Sequence, residues 1–317
     1  MKKVKCVHIA QIGVGRVGRP TAYTILCEGL ADTLSVCDIK PRLSAAFAEE
    51  LKHVTASLGL DVEIYDYARD EDVIDADVIL ISAGEPRIPG VKMSRRDLAK
   101  QNARIVKEIS EATISKNPKA KYVVISNPVD AMAMICKKYT KADFVISTGT
   151  NLESLRFRSK IAKSLSVPVS HVQGWVGGEH GDAAVPLWST VRINNLTVTE
   201  YFKSKGIIVP KDEIDSYVKS VSKFIVDTIG GTEYGPAASF RDIVRAIVKD
   251  TGEVLSIAAP MNFNEVPEPV FVSVPRHLGK NIGVPLLDIL SETEKAELKE
   301  ASDAIYQTYK IAIENLE

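Results

Sequence analysis

Along the first 150 residues, short apolar runs rich in β-branched side chains alternate with longer stretches whose apolar positions recur at helical spacing. The runs at 4–12 (VKCVHIAQI), 34–38 (LSVCD), 62–67 (VEIYDY), 77–84 (DVILISAG), 121–127 (KYVVISN) and 144–149 (FVISTG) read as strands. Helical patterns fall between them, over 19–30, about 94–116 and 129–139. The first presents Ala22, Ile25 and Leu26 inward, and Gly29 is placed to end it. Alternation of this kind builds right-handed βαβ units, so an α/β fold with a doubly wound parallel sheet is expected. Near residue 150 the pattern changes. Residues 151–166 read as one amphipathic helix with Leu152, Leu155, Ile161, Ala162 and Leu165 as its apolar face and Thr150 or Asn151 as N-cap. The change divides the chain into 1–148 and 149–317.

Composition narrows the function. The 317 residues are 45% hydrophobic and 26% charged, with a formal net charge of −1, an ordinary globular balance. No run of five like charges points to nucleic acid or to an anionic membrane, and no apolar run is long enough to span a bilayer. The opening MKKVKCVHIAQIG is basic then apolar, but Lys5 and His8 interrupt it, so a first strand fits better than a signal peptide. Cys6, Cys27, Cys37 and Cys136 lack metal-like spacing and lie in apolar segments. They read as buried free thiols in a reducing cytoplasm.

The first candidate site is GVGRVG, with Gly13, Gly15 and Gly18 between the first strand and the first helix. Such glycines permit a tight turn and close backbone approach, and the helix N-terminus offers free N–H groups to a pyrophosphate. Asp38 ends the next strand, 20 residues beyond Gly18, the place of a carboxylate that binds ribose hydroxyls and repels a 2′-phosphate. That favours NAD over NADP and makes the parallel sheet Rossmann-type. The turns SAGEP (82–86) and SNPVD (126–130) end two further strands on the ligand side of such a sheet. The loop PRIPGVKMSRR (86–96) follows the first of them, carrying Arg87, Lys92, Arg95 and Arg96 and no acid.

The second half holds a different chemistry. Glu153 and Arg156 stand at i and i+3 on the 151–166 helix, which by itself implies an intrahelical ion pair. GWVGGEHGDAAVPLW (174–188) sets His180 among glycines, so something approaches its backbone closely. A metal held by Glu179, His180 and Asp182 is disfavoured, because neighbours in a glycine turn seldom converge on one ion; no metal is expected.

These motifs, in this order, resemble the lactate/malate dehydrogenase family nearly end to end: GVGRVG, Asp38, SAGEPR…SRRDL, SNPVD, TNLESLRFR, GEHGDAAVPLWS and GGTEYGPA. The resemblance implies an NAD-dependent oxidoreductase with a catalytic α+β second domain, acting on a small 2-hydroxy acid. It makes His180 the acid/base and Glu153, where the family usually has Asp, the carboxylate that orients it. Arg156 grips the C1 carboxylate, Asn127 orients the C2 oxygen, and Asn102 and Asn127 also serve the cofactor. Arg95 closes over the substrate from a mobile lid.

Arg87 matches the position that separates malate from lactate enzymes and would meet a distal carboxylate. Malate and oxaloacetate are therefore the expected pair, with an L-lactate or dual-specificity dehydrogenase as the alternative. Arg87 and Arg95 stand eight residues apart, two more than the family's usual spacing, which places an insertion around Val91–Lys92. Thr232 matches a pocket position where lactate enzymes often carry Thr. The resemblance further implies a cytoplasmic enzyme of the tricarboxylic acid cycle and a homotetramer, or else a dimer. Arg158 matches one half of a sugar-bisphosphate site, but Gln173 holds the other half, so no activation by such a sugar is expected.

Overall fold

All six strands expected in the first half form, and they lie side by side. A computed structural model describes residues 6–85, 95–264, 266–314 and 316, the side chains of 95–97 apart. The strands are β1 (His8–Ile12), β2 (Thr33–Cys37), β3 (Glu63–Tyr67), β4 (Val78–Ile81), β5 (Lys121–Val124) and β6 (Val145–Ser147). They are parallel throughout, in the order β3-β2-β1-β4-β5-β6. Helices α1 (Gly18–Cys27), α2 (Leu43–Leu58), α3 (Arg95–Ile114) and α4 (Val129–Thr140) supply crossovers. Strand order reverses between β1 and β4, which opens a crevice at the carboxyl ends of the strands.

Central strands are apolar without alternation because helices cover both faces. Val78, Ile79, Leu80 and Ile81 are all buried, each side chain worth about 1.5–3 kcal/mol on leaving water. The edge strand β3 holds no buried residue and exposes Glu63, Tyr65 and Asp66. Helix α4 is buried nearly all round, from Val129 to Cys136, because it lies among β6, α3 and the last helix.

Helix α5 (Asn151–Leu165) opens the second half, followed by β7 (Val172–Gly178), β8 (Ala184–Ile193) and β9 (Leu196–Thr197). Helices α6 (Val198–Lys205), α7 (Lys211–Ile229) and α8 (Tyr234–Lys249) come next. Then follow β10 (Glu253–Met261), β11 (Val270–Leu278), β12 (Ile282–Pro285) and α9 (Glu292–Ile313). These strands extend the same sheet in antiparallel fashion. β10 joins β6 through the pair Ala258–Ser147, and β11, β7, β8 and β9 continue outward. The α9 N-terminus is a capping box of Ser291 and Glu294. The Glu294 carboxylate also accepts the Ser189 N–H at 2.9 Å, pinning the helix to β8.

Two expectations need correction. Cys6 and Cys27 are exposed, and only Cys37 and Cys136 are buried, all four being free thiols. Cys27 closes α1 on its outer side, where an apolar sequence neighbourhood does not mean burial. Neither Thr150 nor Asn151 caps α5 through its side chain. The Thr150 hydroxyl donates instead to the Val176 carbonyl, at 2.5 Å, and the Asn151 amide to the Ser239 hydroxyl, at 2.9 Å. Both side chains are drawn into tertiary bonds because that end of α5 is buried.

Candidate active site

The glycine turn after β1 is built by steric necessity. Gly13 has φ +86°, and a Cβ there would lie 2.4 Å from the Ala83 backbone nitrogen. A Cβ on Gly18 would lie 2.0 Å from the Gly13 carbonyl oxygen. These two glycines let strand and helix close on each other. Gly15 differs, since a Cβ there would meet nothing within 4 Å. The open space stands over the first turn of α1, which holds no acidic residue and no side-chain cap. Backbone N–H groups and the positive end of a helix therefore face room, which fits the pyrophosphate of a dinucleotide.

Asp38 stands beside this turn at the end of β2. Its Oδ2 accepts the Val14 N–H at 3.0 Å and its Oδ1 the Lys40 N–H at 2.9 Å. The carboxylate thus braces the turn. Asn102, buried on α3, joins the two other strand ends. Its Oδ1 accepts the Glu85 N–H at 2.8 Å and its Nδ2 donates to the Asn127 carbonyl at 2.6 Å. Asn127 itself is exposed at the carboxyl end of β5, before a cis bond to Pro128.

Residues far apart in the chain meet at His180. The ring Nδ1 lies 3.1 Å from Glu153 Oε2, and the other Glu153 oxygen accepts from Arg156 Nη1 at 3.1 Å. The ion pair expected from spacing exists, therefore, and it shares its carboxylate with the histidine. Glu153 is nearly buried, at 9% side-chain exposure, while His180 keeps 27%. Burial would raise the Glu153 carboxyl, but His180 and Arg156 outweigh it and hold the group below its ordinary value. Burial likewise works to lower His180. Glu153, with help from Asp130, prevails and lifts the imidazole to about 9.

Asp130 had no assigned role in the sequence. It is buried at the start of α4, and its Oδ2 accepts the His180 backbone N–H at 2.8 Å. Its Oδ1 accepts the Ser147 hydroxyl at 2.7 Å. Burial pushes its carboxyl up to about 6, against the downward pull of those two hydrogen bonds. The only available signal was an acid inside the continuously apolar segment VDAMAMIC.

Arg16, inside GVGRVG, also went unremarked. Its Nη1 donates to Glu233 Oε1 at 2.7 Å, and its stem lies against Gly231. The glycine turn thereby touches the turn between α7 and α8 that carries half-buried Thr232. Arg87 falls outside the described residues. Arg95 opens α3, but its side chain also falls outside them. Among the described residues, no group of three His, Cys, Asp or Glu side chains is arranged to hold a metal ion.

Residues 7–144 match the model of the lactate/malate dehydrogenase NAD binding domain, and residues 150–314 match that family's alpha/beta C-terminal domain. A malate dehydrogenase of Sulfurisphaera tokodaii is 40% identical over 309 residues, covering 98% of this chain and 97% of the relative. An L-lactate dehydrogenase of Thermoanaerobacter is 32% identical, over 94% and 96%. Among solved structures, the lactate dehydrogenase of Cryptosporidium parvum, complexed with lactic acid and nicotinamide adenine dinucleotide, superposes with a TM-score of 0.89. It is 27% identical, with 98% of this chain and 99% of that one covered.

Proposed function

This chain belongs to the lactate/malate dehydrogenase family, and from that premise we propose that it is an NAD-dependent malate dehydrogenase, interconverting malate and oxaloacetate. The observation that carries the chemistry is the shared carboxylate of Glu153, bonded to His180 on one oxygen and to Arg156 on the other. Higher identity to a malate dehydrogenase than to an L-lactate dehydrogenase, 40% against 32%, supports the dicarboxylate.

In this reading, Glu153 holds the proton on His180 Nδ1, so that Nε2 faces the substrate. The imidazole takes the C2 hydroxyl proton of malate, and returns it when oxaloacetate is reduced. The charge of Glu153 stabilises the imidazolium between those events. Arg156 spends Nη1 on Glu153, and a guanidinium has five N–H groups, so others can grip the C1 carboxylate in a charge-assisted pair. Asn127 orients the C2 oxygen, and Thr232 lines the same pocket. NAD, when bound, supplies the hydride acceptor. Gly13, Gly15, Gly18, Asp38 and Asn102 would hold it, with the Asp38 carboxylate turned against a 2′-phosphate.

Arg87 and Arg95 complete the site in this proposal. Arg95 stabilises charge on the C2 oxygen, and Arg87 pairs with the distal carboxylate. With pyruvate in a closed site, Arg87 would be desolvated without a partner, and that asymmetry selects the dicarboxylate. We further assign residues 1–148 to dinucleotide binding and 149–317 to the catalytic domain, in a cytoplasmic homotetramer of the tricarboxylic acid cycle.

The test is kcat/KM for oxaloacetate and for pyruvate with NADH, on one preparation. A large preference for oxaloacetate, moved toward pyruvate in Arg87→Gln, is expected. Comparable values in the wild type would place the protein with the lactate enzymes, and an unmoved ratio in the variant would remove Arg87 from specificity.

A further inference from the structure

His180 is held at two places by two carboxylates, and only one of them touches its ring. Glu153, from α5, holds Nδ1; Asp130, from α4, holds the backbone N–H. A glycine turn needs such an anchor. Gly181 beside His180 and Gly178 before it leave the main chain loosely determined, and Gly178 takes φ +83°. Asp130 is 3% exposed, and both its oxygens are occupied: one by the His180 N–H, the other by the Ser147 hydroxyl. Its carboxylate therefore links β6 to the histidine turn, although it stands where a helix-capping acid would be expected.

We propose that Asp130 is a positioning residue for the acid/base His180: it fixes the main chain from which the imidazole projects and places a second negative charge behind the ring. The proposal rests on the dehydrogenase reading for its kinetic consequence and on geometry alone for its structural one. Among the described residues, Glu153 and Arg156 face the histidine from α5 and Asp130 from α4, while Glu179 on the histidine's own turn acts on Asp130. Toward α9, Ile305 and Thr308 line a small cavity with His180 and Asp130 and bring no charge. Of the two acids that support the imidazolium, Asp130 acts without contact to the ring, so its effect separates from tautomer control by Glu153. Removing its charge should make His180 easier to deprotonate.

The test compares wild type with Asp130→Asn and Ser147→Ala. Two quantities are read: the alkaline limb of kcat/KM for oxaloacetate reduction, and the titration of the His180 ring by NMR. In Asp130→Asn both should move to lower pH by roughly half a unit to one unit, as expected for loss of one nearby charge. Ser147→Ala removes a donor but leaves the carboxylate, whose pKa lies near 6, charged at the pH of that limb, so both should stay within about 0.3 unit of wild type. Binding of NADH, followed by fluorescence, should stay within about twofold of wild type in both.

Limb and ring titration that overlie wild type in folded, NADH-binding Asp130→Asn, or that move as far in Ser147→Ala, would overturn the proposal and leave Asp130 a structural acid. If Asp130→Asn does not fold, Asp130→Ser, equally neutral and smaller, decides in its place, and an unmoved titration there overturns it. A wild type inactive on oxaloacetate would refute the malate reading separately, because the ring titration needs no turnover.

Discussion

The two halves of the site are made in opposite ways. The nucleotide turn is local: Gly13, Gly15 and Gly18 lie within six residues and act through what they lack, leaving backbone N–H groups bare. The histidine cluster is assembled from Asp130, Glu153, Arg156 and His180, on two helices and a glycine turn, and acts through buried charge. A backbone site tolerates a change of side chain wherever space is open. A charge site tolerates almost none, since each partner compensates another in a medium of low polarity.

Four substitutions test that contrast. His180→Asn should lower kcat by about 10²–10⁴-fold, the range for a lost general acid/base, while NADH binding measured by fluorescence stays near wild type. Should turnover survive, the acid/base assignment is wrong. Gly13→Ala should destabilise the fold by about 1–3 kcal/mol, read from the urea midpoint, since its φ of +86° and the backbone of Ala83 leave no place for a methyl group. Gly15→Ala meets open space and should cost under about 0.5 kcal/mol of stability, yet weaken NADH binding by about tenfold, or roughly 1.4 kcal/mol. Equal losses of stability in the two glycine variants would erase the distinction between packing and ligand-facing positions.

The smallest effect concerns pH. His180 is raised above its unfolded value of 6.5 to about 9, so its contribution to stability is fully present below about pH 6.5 and is lost as pH rises through about 9. Reduction of oxaloacetate, which uses the protonated ring, should hold its kcat/KM up to that limb and fall beyond it. Glu153→Gln removes the main support of the imidazolium and should carry the limb to lower pH. A limb that stayed in place would detach it from His180.

The same contrast explains what could be read from residue order. The parallel sheet and the glycine turn were legible because each rests on spacing within a short stretch. Glu153, Arg156 and His180 were legible only together and through family resemblance, since helical spacing by itself allowed nothing beyond an ion pair. Asp130 was not legible as a functional residue. Helix α4 is covered on nearly every side, which removes the polar stripe that would mark an inward-facing acid as exceptional. Cys27 failed for the reverse reason, its apolar neighbours being buried while it faces outward. The Thr150 cap failed because a buried hydroxyl follows the strongest acceptor in reach, here a carbonyl of β7.

Where the parallel and antiparallel parts of the sheet meet, hydroxyls are set among the hydrocarbon. Ser147, Thr150, Ser154, Ser256 and Ser273 are all fully buried there. They bond to Asp130, to the Val176 main chain and to the Thr150 N–H. Oily surfaces slide past one another at small cost, because their attraction has no direction. A joint of directional bonds behaves like a keyed shaft: it transmits torque and permits no creep. His180 is tied to this joint through Asp130 and Ser147, so the imidazole projects from its stiffest part.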